Sequence, residues 1–199
     1  MKLYHNAASP FVRKVRVVLA ETGQTAELVD VFITPTAPGD KVPAANPLGK
    51  IPALERESGP TLYDSRVICQ YLDDLAGGGL YPSAPRLWET LTLEATADGI
   101  MDAAVLMVYE GRVRPEEIRY PAWLDAQWAK ISRALDAVEA RWMSHLAGPL
   151  DVAQIAMGCA LDYLDFRHAD RDWRGTHPAL AAWHAAFAER QSMQDTRPE

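Results

Sequence analysis

The sequence has 199 residues, of which 48% are hydrophobic and 24% are charged. This balance is typical of a soluble globular protein and excludes disorder along the whole chain. The length allows one large domain or two small ones. The formal net charge of -7 argues against non-specific nucleic-acid binding, which depends on a basic surface.

The sequence favours a cytoplasmic protein without a metal. No stretch approaches the roughly 18 to 20 apolar residues that span a membrane, and the start MKLYHNAASPF lacks the apolar run of a signal peptide. The two cysteines, Cys69 and Cys159, lie far apart in helical patterns, and the five histidines show no metal-binding spacing. We therefore expect neither a disulfide nor a zinc site, and the default compartment is the reducing cytosol.

The first third of the chain alternates strand and helix signals. Residues 2–5 form a candidate strand, and Ser9 followed by Pro10 predicts a helix start, because serine caps helices and proline suits the first helical position. Gly23 is placed to end that helix. Residues 27–33, rich in valine, isoleucine and phenylalanine, predict a second strand.

The next segment is rich in proline and is predicted to be a loop with at most one short helix. It spans residues 34–47 and includes Pro35, Pro38, Pro43 and Pro47. A third strand is predicted over residues 51–55 and a fourth, short one over residues 61–63, on either side of a turn at Ser58-Gly59-Pro60.

A helix capped by Asp64 and Ser65 follows the fourth predicted strand. Its apolar positions share one face. Three glycines at residues 77–79 end it. The strand signals then vanish, so we predict an α/β domain over residues 1–77, a linker over residues 78–84 and an all-helical domain over residues 85–199.

The second predicted domain contains four or more helices. One runs from Arg86 to about Arg112, and a second carries an apolar stripe from Leu124 to Trp142 that is broken by glycine and proline at residues 148–149. Asp151 followed by Gln154 predicts a capping box for a third helix. A final helix is predicted to begin at His177-Pro178.

Five segments carry a resemblance to a known family. They read SPFVRKV (residues 9–15), NPLGKIPAL (46–54), LYDSRVICQYL (62–72), DVAQIAMG (151–158) and HPALAAWHAAFAER (177–190). In this order and spacing the chain resembles the glutathione S-transferase superfamily, most closely its bacterial members. The resemblance implies a thioredoxin-like α/β N-terminal domain, an all-α helical-bundle C-terminal domain, a homodimer and glutathione as co-substrate.

The resemblance assigns Ser9 to the glutathione thiol. The Ser9 hydroxyl can donate a hydrogen bond to sulfur, and the free N–H groups of the first helical turn face the same point. Ser9 would stabilise a thiolate and would not itself be the nucleophile. The alternative is that Ser9 is only a helix cap. Relatives with cysteine at this position form a mixed disulfide with glutathione, which serine cannot do.

The resemblance assigns the rest of the tripeptide to two further segments. Phe11, Lys50, Ile51 and Pro52 are expected to contact it, with a cis bond before Pro52 that turns the Ile51 backbone towards the cysteinyl part. An ordinary trans proline at a strand start and a solvated Lys50 are the alternatives.

The resemblance assigns a third segment, Asp64-Ser65, to the γ-glutamyl end of glutathione, which carries a carboxylate and an ammonium. The Ser65 hydroxyl and nearby N–H groups suit its carboxylate, and Asp64 suits its ammonium. A plain helix cap is the alternative for both residues.

The second substrate is expected between the domains, with Met107, Tyr109 and Arg112 as candidate contacts. The expected reaction is attack of the thiolate on a small hydrophobic electrophile, as in detoxification. A glutathione-dependent peroxidase, reductase or isomerase is an alternative, as is a non-catalytic interaction protein of the same fold. Asp98 and Asp102 can reach a partner subunit's site in this family, or can be solvated or face the dimer.

Overall fold

The computed structural model describes residues 1–34, 36–37, 39 and 41–198. Pro35 and Pro38, which belong to the predicted loop, lie outside the described residues. The rest of the chain forms a small three-stranded sheet with helices, followed by a helical region.

The N-terminal region is built on a mixed sheet of order β2-β1-β3. Its elements follow in this sequence: β1 (Lys2–His5), α1 (Pro10–Glu21), β2 (Glu27–Asp30), α2 (Lys41–Ala45), β3 (Ala53–Glu55) and α3 (Ser65–Leu75). Strand β1 pairs in parallel with β2 and antiparallel with β3. The first three predicted strands, the helix at Pro10 and the short helix in the loop are all present.

Three predicted strand bounds were wrong. Strand β2 ends at Asp30 because β1 ends at His5, so the last bond runs from Val31 N–H to the His5 carbonyl at 2.9 Å. Strand β3 begins at Ala53, two residues late, because Pro52 has no N–H to donate. The predicted fourth strand is reduced to one pairing of Leu62 with Leu54, because Asp64 immediately opens α3.

The C-terminal region consists of helices. They are α4 (Arg86–Val113), α5 (Pro121–Arg141), α6 (Met143–Leu146), α7 (Val152–Arg167), α8 (Trp173–Thr176), α9 (Pro178–Phe187) and α10 (Gln191–Gln194). Helix α5 stops at Arg141, earlier than the predicted break at residues 148–149, and the chain restarts as α6. The helix that begins at Pro178 was predicted to be the final one. This prediction was wrong, because α10 follows α9 and packs on α1.

Helix α7 lies at the centre of this region. Twelve of its 16 residues are buried, and it packs against α1, α4 and α9. A helix that is apolar all round must be enclosed on every side. The predicted capping box at its start is present, with Asp151 accepting from Ala153 and Gln154 N–H groups and Gln154 Oε1 accepting from the Asp151 N–H. Helix α7 therefore brings its C-terminal half close to the start of α1.

The long helices do not have the character of membrane spans. Within the described ranges, no helix is both long enough and apolar enough to cross a bilayer.

Candidate active site

Ser9 caps α1, as the sequence predicts. It has extended backbone angles, and its Oγ accepts the Val12 N–H at 3.4 Å. The preceding loop is held by Asn6, whose carbonyl oxygen accepts the Ser9 N–H at 3.0 Å. Among the residues that the structure describes, the Ser9 hydroxyl hydrogen has no acceptor. Its donor is therefore available to a ligand at the positive end of α1.

A small cavity, too narrow for a water molecule, lies between Ser9 and α7, and sequence reasoning missed this arrangement. The residues of its wall are Ala8, Ser9, Pro10, Arg13, Cys159, Tyr163 and Pro198. Burial raises the pKa of both Tyr163 and Cys159 to about 12, so the phenol and the thiol are protonated at neutral pH. The Cys159 thiol is therefore structural, and the Tyr163 hydroxyl keeps a proton to donate.

The Ile51 backbone presents unpaired polar groups. The Ile51–Pro52 peptide bond is cis, as the resemblance implies. In the described part of the chain, neither the N–H nor the C=O of Ile51 has a hydrogen-bond partner. The adjoining loop is fixed by the buried Asn46, whose Nδ2 donates to the Lys50 carbonyl at 2.8 Å.

The side chains around Ile51 have different surroundings. Lys50 is exposed, so its ammonium is free to meet a solvent-facing carboxylate. Phe11 is partly buried and packs against the hydrophobic core. Phe11 therefore supports the start of α1 from within the fold.

Asp64 caps α3 through the Arg66 N–H at 3.0 Å, and its other oxygen accepts from the Arg66 guanidinium at 3.0 Å. Burial opposes ionisation of Asp64, but the Arg66 hydrogen bonds and charge prevail and hold its pKa below the ordinary value. Ser65 is 3% exposed. Its hydroxyl has no partner among the residues described. The arrangement offers a carboxylate and a free hydroxyl side by side.

A buried charge cluster lies behind this pair of residues. Lys14 Nζ lies 2.7 Å from Asp98 Oδ1 and 3.1 Å from Glu94 Oε1, and Arg66 Nε lies 3.7 Å from Asp98 Oδ2. Asp98 is therefore paired inside its own chain, which decides against the solvated position left open by the sequence.

Asp102 is exposed and lies on the same side of α4 as Asp98. Partial burial of its carboxyl group raises its pKa, and so does the charge of Asp98, while Lys50 and Arg66 oppose the shift. Lys50 and Arg66 therefore lie near Asp102 and Asp98.

A larger cavity of about 450 Å³ opens where the C-terminal ends of α4 and α7 meet the start of α5. Two predicted second-substrate residues, Met107 and Arg112, belong to its wall. The third, Tyr109, does not, although it is close enough to Arg112 for that charge to oppose the burial that raises its pKa. The remaining wall residues are Val108, Gly111, Leu124, Phe166, Arg167, His168, Asp170 and Arg171.

The structure also brings together Asp162, Asp165 and His184, with ligand atoms within 4.8 Å of one another. The carboxylates are already paired: Asp162 with Arg13 at 2.6 Å and Asp165 with Arg174 at 2.5 Å. This cluster therefore joins α1, α7 and α9 through compensated charges and offers no spare anionic ligand.

Two parts of the sequence match models of known protein domains. Residues 3–79 match "Glutathione S-transferase, N-terminal domain", and residues 121–186 match "Glutathione S-transferase, C-terminal domain". A mixed three-stranded sheet with a capped first helix, joined to a helical region around α7, is the glutathione S-transferase fold.

Curated relatives extend over nearly the whole chain. This chain is 34% identical to the "Uncharacterized GST-like protein YibF" of Escherichia coli strain K12, and the match covers 100% of this chain and 98% of that protein. It is 31% identical to "Glutathione S-transferase 4" of Zea mays, covering 96% and 88%. The chain belongs to the glutathione S-transferase superfamily.

Solved structures agree with this assignment. A glutathione transferase family member from Pseudomonas fluorescens Pf-5 with bound glutathione is 50% identical, with a TM-score of 0.97 over 100% of this chain and 98% of that one. A second structure is of a glutathione transferase family member from the same organism with bound S-(propanoic acid)-glutathione. It is 49% identical to this chain, with a TM-score of 0.92 and full coverage of both chains.

Proposed function

We propose that the protein is a glutathione transferase that binds glutathione and activates its thiol for attack on a small hydrophobic electrophile. The observation that carries the proposal is the unused Ser9 hydroxyl hydrogen at the N-terminus of α1. Glutathione bound to the Pseudomonas fluorescens relative supports it. We further propose that the enzyme acts as a cytoplasmic homodimer in detoxification.

The chemical task is to keep the glutathione sulfur anionic at neutral pH. A cysteine-type thiol has a pKa of about 8.5, so only a few per cent is thiolate. A hydrogen bond to a charged group contributes about 1.5 to 3 kcal/mol, and a helix N-terminus adds about 0.3 to 1. At about 1.36 kcal/mol per pKa unit, Ser9 and α1 together lower the thiol pKa by roughly one to three units.

The same thiolate can serve other reactions, and the residue at the thiol position favours transfer. Serine forms no mixed disulfide with glutathione, so thiol–disulfide exchange through the protein is disfavoured. In transfer, the sulfur forms a bond to the electrophilic carbon, and the leaving group departs with the electron pair or the adduct takes up a proton. Ser9 stays protonated throughout.

The remaining residues hold the tripeptide in place. The free N–H and C=O of Ile51, next to Pro52, pair with the cysteinyl backbone like a short antiparallel strand. Exposed Lys50 meets a ligand carboxylate. Ser65 and the first-turn N–H groups of α3 hold the γ-glutamyl carboxylate, and ionised Asp64 holds its ammonium. Phe11 supports the first turn of α1.

The electrophile is proposed to occupy the space between Ser9 and the larger cavity, near Met107, Tyr109 and Arg112. The S-(propanoic acid)-glutathione bound to a relative supports a site with room for a substituent on sulfur.

Calorimetric titration with glutathione tests the site. Wild type should bind, and Ser65→Ala should bind about tenfold more weakly because a hydrogen bond to a charged group is lost. The control is Ser144→Ala, an exposed serine on α6, which should match wild type. Absence of binding to wild type would overturn the proposal, and unchanged affinity in Ser65→Ala would remove the assignment of the γ-glutamyl end.

A further inference from the structure

Two arginines in the larger cavity lack a counter-ion. Arg112 on α4 and Arg167 at the end of α7 both belong to its wall. Within the described part of the chain, neither guanidinium has a carboxylate partner. Other arginines near α7 are paired, as Arg174 is with Asp165. Arg112 is exposed and Arg167 is partly buried, so both guanidinium groups are open to a ligand in this cavity.

The two guanidinium groups are close enough to act on each other. Burial lowers the pKa of Arg167, and the positive charge of Arg112 lowers it further. The Arg167 Nε is buried and has no hydrogen-bond partner among the described residues. A buried donor without an acceptor and two like charges without a counter-ion are both unfavourable. A bound anion would relieve both.

The position of Arg167 is fixed by its neighbours. Its guanidinium carbon lies 3.8 Å from the centroid of the Phe166 ring, a stacked arrangement that suits arginine. The charges of Arg167 and Arg112 both favour the ionised form of Tyr163, so the three side chains lie together. The guanidinium group of Arg167 is therefore held in a defined position in the cavity wall.

Arg167 lies near the site proposed for the glutathione thiol. Tyr163 belongs to the wall of the small cavity that contains Ser9. Residues four apart on a helix are neighbours on one face, about 5 to 6 Å apart, so Arg167 lies one helical turn beyond Tyr163. A substituent on a sulfur held at Ser9 would extend past Tyr163 towards Arg167.

The rest of the cavity wall favours an apolar molecule with one acidic group. Met107, Val108, Leu124 and Phe166 supply an apolar surface. Of the other charged residues in the wall, Asp170 is exposed and Arg171 interacts at 3.8 Å with the exposed Asp125. Arginines therefore outnumber acids in the wall.

We propose that Arg112 and Arg167 form an anion-binding subsite, and that the electrophile transferred to glutathione carries a carboxylate on an apolar body. This inference rests on the proposed function, because it concerns the second substrate of the same site. The guanidinium fork matches a carboxylate with two parallel hydrogen bonds. The substrate class is a small aromatic or unsaturated acid.

Binding of two matched conjugates tests the subsite without any turnover. S-(4-carboxybenzyl)glutathione and S-(4-methylbenzyl)glutathione differ only in the carboxylate. Wild type should bind the acid about tenfold more tightly, equivalent to about 1.4 kcal/mol. Arg167→Met should remove this preference, and Arg167→Lys should keep part of it. Arg133→Met, a change at an exposed arginine on α5, should leave the preference intact.

The outcomes separate the subsite from the proposed function. Equal affinity of wild type for both conjugates would overturn the subsite, as would an equal loss for both conjugates in Arg167→Met, which indicates a structural role. If wild type binds neither conjugate nor glutathione, the proposed function fails. The subsite is then decided by 4-methylbenzoate alone: it stands if wild type and Arg133→Met bind this anion and Arg167→Met does not, and falls otherwise.

Discussion

The ammonium nitrogen of Lys14 on α1 lies 2.7 and 3.0 Å from the two carboxylate oxygens of Asp98 on α4. The Lys14 side chain is fully buried, and Glu94 supplies a second buried carboxylate at 3.1 Å. Burial opposes the charge on Lys14, but the carboxylates prevail and raise its pKa above the ordinary value. One buried cation therefore ties the first helix to the longest one, behind the candidate site.

Lys14→Met should lower the free energy of unfolding by about 3 to 5 kcal/mol. Methionine keeps the length of the side chain, but the change leaves two carboxylates buried without their cation. Urea denaturation followed by circular dichroism measures the loss. Lys130→Met, a change at an exposed lysine on α5, should stay within about 0.5 kcal/mol of wild type. Equal stabilities for the two variants would show that Lys14 is not essential to the cluster.

Ser9→Ala should raise the apparent pKa of bound glutathione by about one to two units, because the hydrogen bond from the hydroxyl to sulfur is lost. Activity at neutral pH should fall about tenfold or more. The pH profile of kcat/KM measures this change, and thiolate absorbance of the bound complex checks it independently.

A rescue variant separates catalysis from capping. Ser9→Thr keeps a hydroxyl and a cap, so its profile should lie close to that of wild type. Loss of the cap in Ser9→Ala also costs about 1 kcal/mol of stability. A drop in stability with an unmoved pH profile would reduce Ser9 to a helix cap.

Local signals in the sequence predicted the helix starts correctly. Ser9, Asp64 and Asp151 each cap a helix as expected, because a cap is decided by atoms within about three residues. The cis bond before Pro52 followed from the family resemblance. The roles of the site residues towards glutathione stay predictions.

Long-range contacts could not be predicted in the same way. Tyr163 shares a cavity with Ser9, and Lys14 meets Asp98, although each pair is far apart in the chain. A lysine on a helix is normally solvated, and nothing in the local sequence marks Lys14 as buried. The packing of α4 against α1 buries Lys14. Such contacts depend on how whole helices pack, and local patterns do not contain that information.

Asp151→Ala should destabilise the protein by about 3 kcal/mol or more. One Asp151 oxygen caps α7, and the other accepts from Thr90 Oγ1 at 3.0 Å and lies 2.7 Å from His145 Nε2 and 3.3 Å from the Arg86 guanidinium. The change removes a cap and leaves buried polar groups without a partner. Thermal and urea unfolding measure the loss.

A conservative variant separates the two contributions of Asp151. Asp151→Asn keeps an oxygen for the cap but removes the negative charge, so its loss should be smaller than that of the alanine variant. Equal losses would show that the charge, and not the cap, dominates.

Glu21 should make stability depend on pH through its contacts with the C-terminal segment. Its carboxylate accepts from the Arg190 guanidinium at 2.8 and 2.9 Å and from the Ser192 hydroxyl. The Arg190 hydrogen bond is the main reason that the pKa of Glu21 lies below the ordinary 4.5. Because the folded state binds this proton less tightly than the unfolded state, the contribution is complete above about pH 5 and is lost as pH falls through the folded-state pKa.

Comparison of Glu21→Gln with wild type by urea unfolding at several pH values measures this contribution. At pH 7 wild type should be more stable by about 1 kcal/mol, the size expected for a partly exposed ion pair. Below about pH 4 the difference should shrink, because protonated Glu21 resembles glutamine and no longer pairs with Arg190. Glu27→Gln, a change at an exposed glutamate on β2, should not reproduce this convergence. A difference that persists at low pH would show that Glu21 acts through packing, because its charge would then contribute nothing.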